Sequence, residues 1–174
     1  MYLVAVFHSH RYEEGWDVYG KSSKLKERFS FHHVYVLDLL AKIKSWKLWV
    51  LCNREPVKNW SNCRISLLGD AAHSMLQYFA RGGCMAIEDA VCLAYHLDSK
   101  SENIIGGFQT YQKNRYLRTA RVQLTACFYG DVYHATGPNA ELRDLTLGGR
   151  TTEQAYAGMS WLYNGIDEVG RQKF

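Results

Sequence analysis

Arg64-Ile65-Ser66-Leu67-Leu68-Gly69-Asp70-Ala71-Ala72-His73 decides how this chain is read, together with Gly82-Gly83 and Ala86-Ile87-Glu88-Asp89-Ala90 downstream. The pattern predicts a short buried strand that ends in a glycine and a carboxylate, then a loop, then two glycines that open an amphipathic helix. A carboxylate at a strand tip accepts hydrogen bonds from polyol hydroxyls, and the small Ala71 and Ala72 let backbone approach a flat ligand. The helix start offers free N–H groups and partial positive charge to an electron-rich ring edge. Strand, loop and helix form one binding edge.

Working outward, Trp46 to Cys52 alternates two apolar sets, as a strand covered on both faces does. Tyr2 to His8 reads as a further strand. Helical spacing of Leu25, Phe29, Val36, Leu39, Leu40 and Ile43 predicts one or two helices over 22–31 and 34–43. Met85 to Leu97 reads as a packed helix with Ala86, Ala90, Ala94 and Leu97 on its inner side. Glu88 and Asp89 are read there as acids that complement the helix dipole. A long helix over 104–129 is expected to bury Phe108, Tyr111, Leu117, Ala120, Leu124 and Phe128. Lys113, Arg115, Arg118 and Arg121 then lie opposite, as a solvated face, a subunit contact or an anionic-ligand surface. Short helices follow over 140–147 and 152–159. The fold class is mixed α/β, divided as 1–60 (sheet and helices), 61–100 (strand, loop and helix) and 101–174 (helical).

Composition bounds the function. The 174 residues are 47% hydrophobic and 14% aromatic, which argues for a folded core. The net charge of +4 is spread along the chain, and no basic block interleaved with aromatics suggests a nucleic-acid surface. Five cysteines, an odd number without Cys-x-x-Cys spacing, indicate neither a disulfide framework nor a zinc site, and a reducing cytoplasm fits them best. His8 with His10 and the pair His32-His33 lack the carboxylate spacing that completes a metal set, so no metal is expected. No apolar run approaches the roughly 20 residues of a membrane span.

Gly69-Asp70-Ala71-Ala72-His73 with Glu88-Asp89-Ala90 resembles the second flavin motif of the FAD-dependent aromatic hydroxylases. The similarity continues through Asn53-Arg54-Glu55-Pro56-Val57-Lys58-Asn59-Trp60, Met75-Leu76-Gln77-Tyr78 and Cys84-Met85-Ala86-Ile87. It extends to Tyr116-Leu117-Arg118-Thr119, Phe128-Tyr129-Gly130, Gln154-Ala155-Tyr156 and Trp161-Leu162-Tyr163. It covers nearly the whole chain. The Gly-x-Gly-x-x-Gly turn with which the family begins is absent, so the chain looks like a C-terminal part that lacks the nucleotide-binding half.

The resemblance implies FAD as cofactor, NADH as reductant and dioxygen as co-substrate. It further implies a small aromatic acid as substrate, most closely 3-hydroxybenzoate converted to 2,5-dihydroxybenzoate, with a salicylate-type hydroxylase as the alternative. The non-enzymatic alternative is a truncated remnant or a subunit-contact module. A homodimer, or a partner chain that supplies the missing half, is the expected assembly. By resemblance, Asp70 binds the ribityl chain, and Gly69, Ala71, Gly82, Gly83 and Cys84 complete the cofactor edge. Gln77 stands near the substrate ring and is the catalytic candidate. Against these roles stand an N-cap or turn aspartate for Asp70, a surface amide for Gln77 and a structural hydrogen-bonding role for His73.

Four positions depart from the family pattern. Ser74 replaces a common proline and removes its φ restraint. Cys63 stands where a turn glycine is usual. Asn53 replaces an acidic residue, and Arg81 adds positive charge before the glycines.

Overall fold

The computed structural model describes residues 3–7, 18–164, 166, 167, 169 and 171. The chain divides into two compact units, Met1–Leu51 and Cys52–Phe174.

In the first unit, β1 (Tyr19–Gly20) pairs antiparallel with β2 (Trp46–Lys47), with Tyr19 opposite Lys47 and Gly20 opposite Trp46. α1 (Ser22–Arg28) and α2 (Val34–Ala41) lie between them in sequence and bury Leu25 and Leu40. Both strand expectations need correction here. Leu3 to Phe7 form no strand and join neither two-stranded sheet. Tyr2 and His8 of that reading lie outside the described residues, as does His10. The expected strand Trp46 to Cys52 stops after Lys47, and Trp49, Val50 and Leu51 are exposed. A two-stranded ribbon has no second layer to cover both faces.

In the second unit, β3 (Ser61–Asn62) and β4 (Ile65–Ser66) form a hairpin, extended by the Leu67 N–H that donates to the Trp60 carbonyl at 3.0 Å. Helices dominate the remainder: α3 (Asp70–His73), α4 (Gly82–Asp98), α5 (Ile104–Tyr133), α6 (Pro138–Gly148) and α7 (Thr152–Tyr163), with a 3₁₀ turn at Gln77–Phe79. Every expected helix forms, with shifted ends. One shift matters for the site: α4 starts at Gly82, three residues before Met85.

α4 and α5 pair antiparallel, since His96 meets Gly107, Asp89 meets Arg115 and Met85 clusters with Val122. Two apolar clusters result. One holds Trp60, Ala72, Cys92 and Tyr111, and the other holds Met85, Val122 and Leu162. The hairpin is fastened to α5 by Gln112, whose Oε1 accepts from the Trp60 and Ser61 N–H groups at 2.7 and 2.9 Å. Tyr111 adds a hydrogen bond from its hydroxyl to the Leu67 carbonyl at 3.3 Å. The buried strand expected over Arg64 to Leu68 is only the pair Ile65–Ser66, with Ile65, Leu67 and Leu68 exposed because the two-stranded hairpin has no layer over that face. The bonds from α5 nevertheless fix the segment that leads to Gly69 against that helix.

The faces of α4 and α5 differ from expectation. α4 buries Met85, Asp89, Cys92 and His96, while Ala90 and Ala94 are exposed. α5 buries Tyr111, Arg115, Arg118, Thr119, Val122, Gln123 and Ala126, while Leu117, Leu124 and Phe128 face outward. Arg115 and Arg118 are therefore not a solvated face, being 0% and 1% exposed. Acids on α4 reverse the pattern: Asp89 and Glu88 receive the two guanidinium groups, so charge is buried as matched pairs.

Candidate functional site

Gly69 makes the turn from strand to site. Its φ of +61° and ψ of −138° belong to a region that only glycine adopts freely, and a Cβ there would meet the Ala86 Cβ at 3.2 Å. Asp70 follows as the first residue of α3 and is exposed, as is Ala71, while Ala72 and His73 turn inward and are buried. The loop after α3 is held by Gln123, whose Nε2 donates to the carbonyls of Ser74 at 3.0 Å and Arg54 at 3.3 Å. Ser74 has φ −51° and ψ 131°, so its backbone already sits where a proline would hold it.

The carboxylate of Asp70 stands beside the start of α4. A Cβ placed on Gly82 would lie 3.7 Å from Asp70 Oδ1 and 3.8 Å from Met75, and one on Gly83 would meet nothing within 4 Å. Gly82, Gly83 and Cys84 occupy the first turn of α4, where N–H groups have no intrahelical acceptor. An exposed carboxylate, uncapped N–H donors and a side-chain-free backbone share one rim. That donor set suits a ligand with a polyol chain and an electron-rich planar edge.

Gln77 opens the 3₁₀ turn and is exposed. Its neighbours anchor the turn: Phe79 stacks on Tyr129 at 5.4 Å, and Met75 packs against the Met85 cluster. Tyr78 lies on Gly130, where any Cβ would fall 2.8 Å from the ring, and its hydroxyl hydrogen-bonds His134 at 3.1 Å. Arg81 does not add a loose charge at the glycines. Its guanidinium lies over the Tyr163 ring at 4.5 Å and donates to that hydroxyl. A cavity of about 680 Å³ begins at this pair and is lined by Tyr78, Tyr129, Tyr156 and Met159 among others. Asp70 and Gly82 are not part of its wall.

Behind the rim lies a buried chain of charge that sequence reading missed. His73 meets Asp89 at 2.5 Å through Nε2, and both are fully buried. The same oxygen, Oδ2, accepts the Gly69 N–H at 3.1 Å, and Arg115 Nε donates to Oδ1 at 2.7 Å. Burial pushes the Asp89 carboxyl up, but the His73 hydrogen bond and the Arg115 charge outweigh it and hold the group below the usual carboxylate range. An ionised carboxylate only accepts, so His73 Nε2 is the donor. Cys92 nearby is fully buried, and burial pushes its thiol up to about 11. The pairing of Glu88-Asp89 on α4 with Arg115 and Arg118, spaced one turn apart on α5, was the available sequence signal. Reading the acids as helix-dipole partners hid it. Among the described residues, no group of three or more His, Cys, Asp or Glu side chains could hold a metal, and no described helix is long and apolar enough to cross a membrane.

No family model matches the chain. Individual proteins do. The chain is 41% identical over 162 residues to 3-hydroxybenzoate 6-hydroxylase of Klebsiella oxytoca, which covers 92% of this chain and 41% of that protein. It is 45% identical over 137 residues to 3-hydroxybenzoate 6-hydroxylase 1 of Aquipseudomonas alcaligenes, covering 78% of the chain and 34% of the relative. Its fold superposes on a salicylate hydroxylase substrate complex with a TM-score of 0.73 at 27% identity, over 94% of this chain and 39% of that one. Klebsiella pneumoniae R204Q HpxO complexed with FAD gives a TM-score of 0.72 at 26% identity, over 80% and 37%. The chain belongs to the FAD-dependent aromatic hydroxylases.

Within this hydroxylase family it matches the C-terminal part of the fold and spans about two fifths of the length of the relatives named. This part of the fold is mostly helical with two small sheets among the described residues.

Proposed function

We propose that this chain forms the second flavin-contacting part of an aromatic-ring monooxygenase that converts 3-hydroxybenzoate to 2,5-dihydroxybenzoate with NADH and dioxygen. One observation carries the reading: the Asp70 carboxylate stands beside the open glycine start of α4, within 3.7 Å of where a Gly82 side chain would begin. FAD, when bound, would supply hydride acceptance and the activation of dioxygen.

This chain's own residues bind and orient. Asp70 accepts hydrogen bonds from the ribityl hydroxyls. The N–H groups of Gly82, Gly83 and Cys84 face the ring's polar edge, where the helix dipole stabilises negative charge. Gly69 and Ala71 keep the approach clear, and Gln77 hydrogen-bonds the substrate's phenol or carboxylate. The names of the relatives favour 3-hydroxybenzoate as substrate, and a salicylate-type acid is the runner-up. Five free cysteines suit a reducing cytoplasm.

A second reading, a non-catalytic contact module of a homodimer or of a complex that supplies the nucleotide half, draws on the outward apolar residues Leu117, Leu124 and Phe128 of α5. Titration of the purified chain with FAD separates the two. Quenched flavin fluorescence and a raised unfolding temperature support the flavin reading, and NADH oxidation stimulated by 3-hydroxybenzoate, with the product identified, supports the reaction. A colourless chain that FAD does not protect from heat supports the contact module.

A further inference from the structure

We propose that the chain His73, Asp89, Arg115, Glu88 and Arg118, buried except for a partly exposed Glu88, is a positioning relay, which ties the turn presenting Asp70 to the docking of the C-terminal end of α7. The proposal rests on the flavin reading for its consequence, not for its geometry.

α3 is four residues long and cannot hold its own shape, because a single helical turn is an unfavourable nucleus in isolation. One oxygen of Asp89 holds both ends of it. Oδ2 accepts the N–H of Gly69, immediately before Asp70, and the imidazole of His73, its last residue. Where Asp89 goes, Asp70 and Ala71 follow. Asp89 is itself held at Oδ1 by Arg115, whose Nη1 donates to Glu88 Oε2 at 2.8 Å.

Arg118 grips the same Glu88 with two donors, Nε to Oε2 at 2.7 Å and Nη2 to Oε1 at 2.8 Å. Such fork geometry fixes orientation as well as distance. Nη2 also donates to the Leu162 carbonyl at 3.0 Å, in the last turn of α7, where carbonyls lack intrahelical donors. The links run unbroken from α7 through α5 and α4 to α3.

Stability alone does not explain such an arrangement, since well-packed apolar side chains hold helices together at least as well as buried ion pairs. Directional bonds give a fixed register of four elements, and the register sets where the Asp70 carboxylate stands relative to Gly82. Glu88 and Arg118 are positioning residues in this scheme, since neither belongs to the glycine rim.

The test is Glu88→Gln in the full chain, read first without flavin. The amides of Ala72 and His73 bond to the Gly69 carbonyl at 2.9 Å each and report the α3 turn, while the Leu67 amide reports the hairpin. The relay predicts hydrogen exchange at Ala72 and His73 faster by about tenfold or more, the scale of one lost charge-assisted hydrogen bond, with Leu67 unchanged. Exchange that is unchanged at these two amides, or faster at all three alike, overturns the relay. If far-UV circular dichroism shows Glu88→Gln to be unfolded, Arg118→Lys, which keeps the charge but loses the fork, takes its place under the same criteria.

FAD titration then separates the two ideas. With the relay intact, Glu88→Gln weakens FAD binding as Asp70→Asn does, and in the double variant the two effects are not additive. A selective exchange response alongside Asp70→Asn that binds FAD normally sustains the relay and removes the flavin reading.

Discussion

Asp70 and Gly82 face each other across the rim, with Oδ1 only 3.7 Å from the position of an added Cβ. Ordinary van der Waals contact at Gly82, and open space at Gly83, mean that the free protein tolerates a methyl group at either glycine. Nothing internal to the fold requires these glycines.

Gly83→Ala therefore separates folding from ligand binding. Alanine is the better helix former, so the variant gains up to about 1 kcal/mol of stability in urea unfolding. On the flavin proposal the added methyl group would intrude where the planar ligand approaches, and such overpacking, ~1–3 kcal/mol, raises the FAD dissociation constant about tenfold or more. A variant that is more stable and binds FAD unchanged removes Gly83 from the cofactor edge.

Asp70→Ala is the complementary substitution. The residue is exposed, and no hydrogen bond caps α3 through its side chain, so stability changes little. Loss of a hydrogen bond to a charged acceptor weakens FAD binding by about 1.5–3 kcal/mol, measured by quenching of flavin fluorescence. Unchanged affinity leaves Asp70 as an ordinary turn residue.

Asp89 makes stability depend on acid. Its folded-state pKa lies below the ordinary aspartate value of about 3.9, so the unfolded chain binds the proton first. The stabilisation is fully present above that pH and is lost as pH falls through the lower folded-state value. Asp89→Asn leaves Arg115 buried without its full counter-charge and costs about 3–5 kcal/mol at neutral pH. The urea midpoint of the variant falls less steeply below pH 4 than that of the parent chain. Equal acid slopes in the two proteins exclude Asp89 as the source.

The turn that carries Asp70 was legible because its residues are adjacent in sequence: Gly69-Asp70 at a chain turn and Gly82-Gly83 at a helix start are local signals. The interior of α5 was not legible. Its inward stripe, Tyr111, Arg115, Thr119, Val122 and Ala126, repeats every three to four residues as clearly as the outward stripe Leu117, Leu124 and Phe128. Hydrophobicity selects the second stripe, and the structure selects the first because Glu88 and Asp89 on another helix neutralise its arginines. Periodicity finds a face but cannot say which partner it meets. His73 shows the same limit, since its partner Asp89 lies 16 residues on and a helix away.

Cys63, read as a departure from a turn glycine, sits at φ +50° as the first of the two residues that join β3 to β4. Arg64 is not among the positive-φ residues, so the hairpin has the pattern of a type II′ turn, which favours glycine at the Cys63 position. Cys63→Gly relieves left-handed strain of about 1–2 kcal/mol, partly offset by the added freedom of the unfolded chain. A net gain of about 0.5–1 kcal/mol in urea unfolding is expected. A loss of stability would mean that the turn prefers a side chain.

Ile87, Val91 and Tyr95 recur every four residues along α4 and are exposed, and Leu117, Leu124 and Phe128 do the same on α5 at wider spacing. Apolar stripes of this kind on helices that bury charge on their inner faces leave the isolated chain prone to self-association. Leu124→Lys and Ile87→Lys remove apolar surface without touching the Asp89 or Glu88 networks, and an exposed helical lysine costs little. Light scattering of the double variant at rising concentration shows less association than the parent, with the unfolding midpoint retained. If association is unchanged, the sticky surface lies elsewhere in the chain. If the unfolding free energy falls by more than about 1 kcal/mol, these side chains are packed rather than exposed in solution.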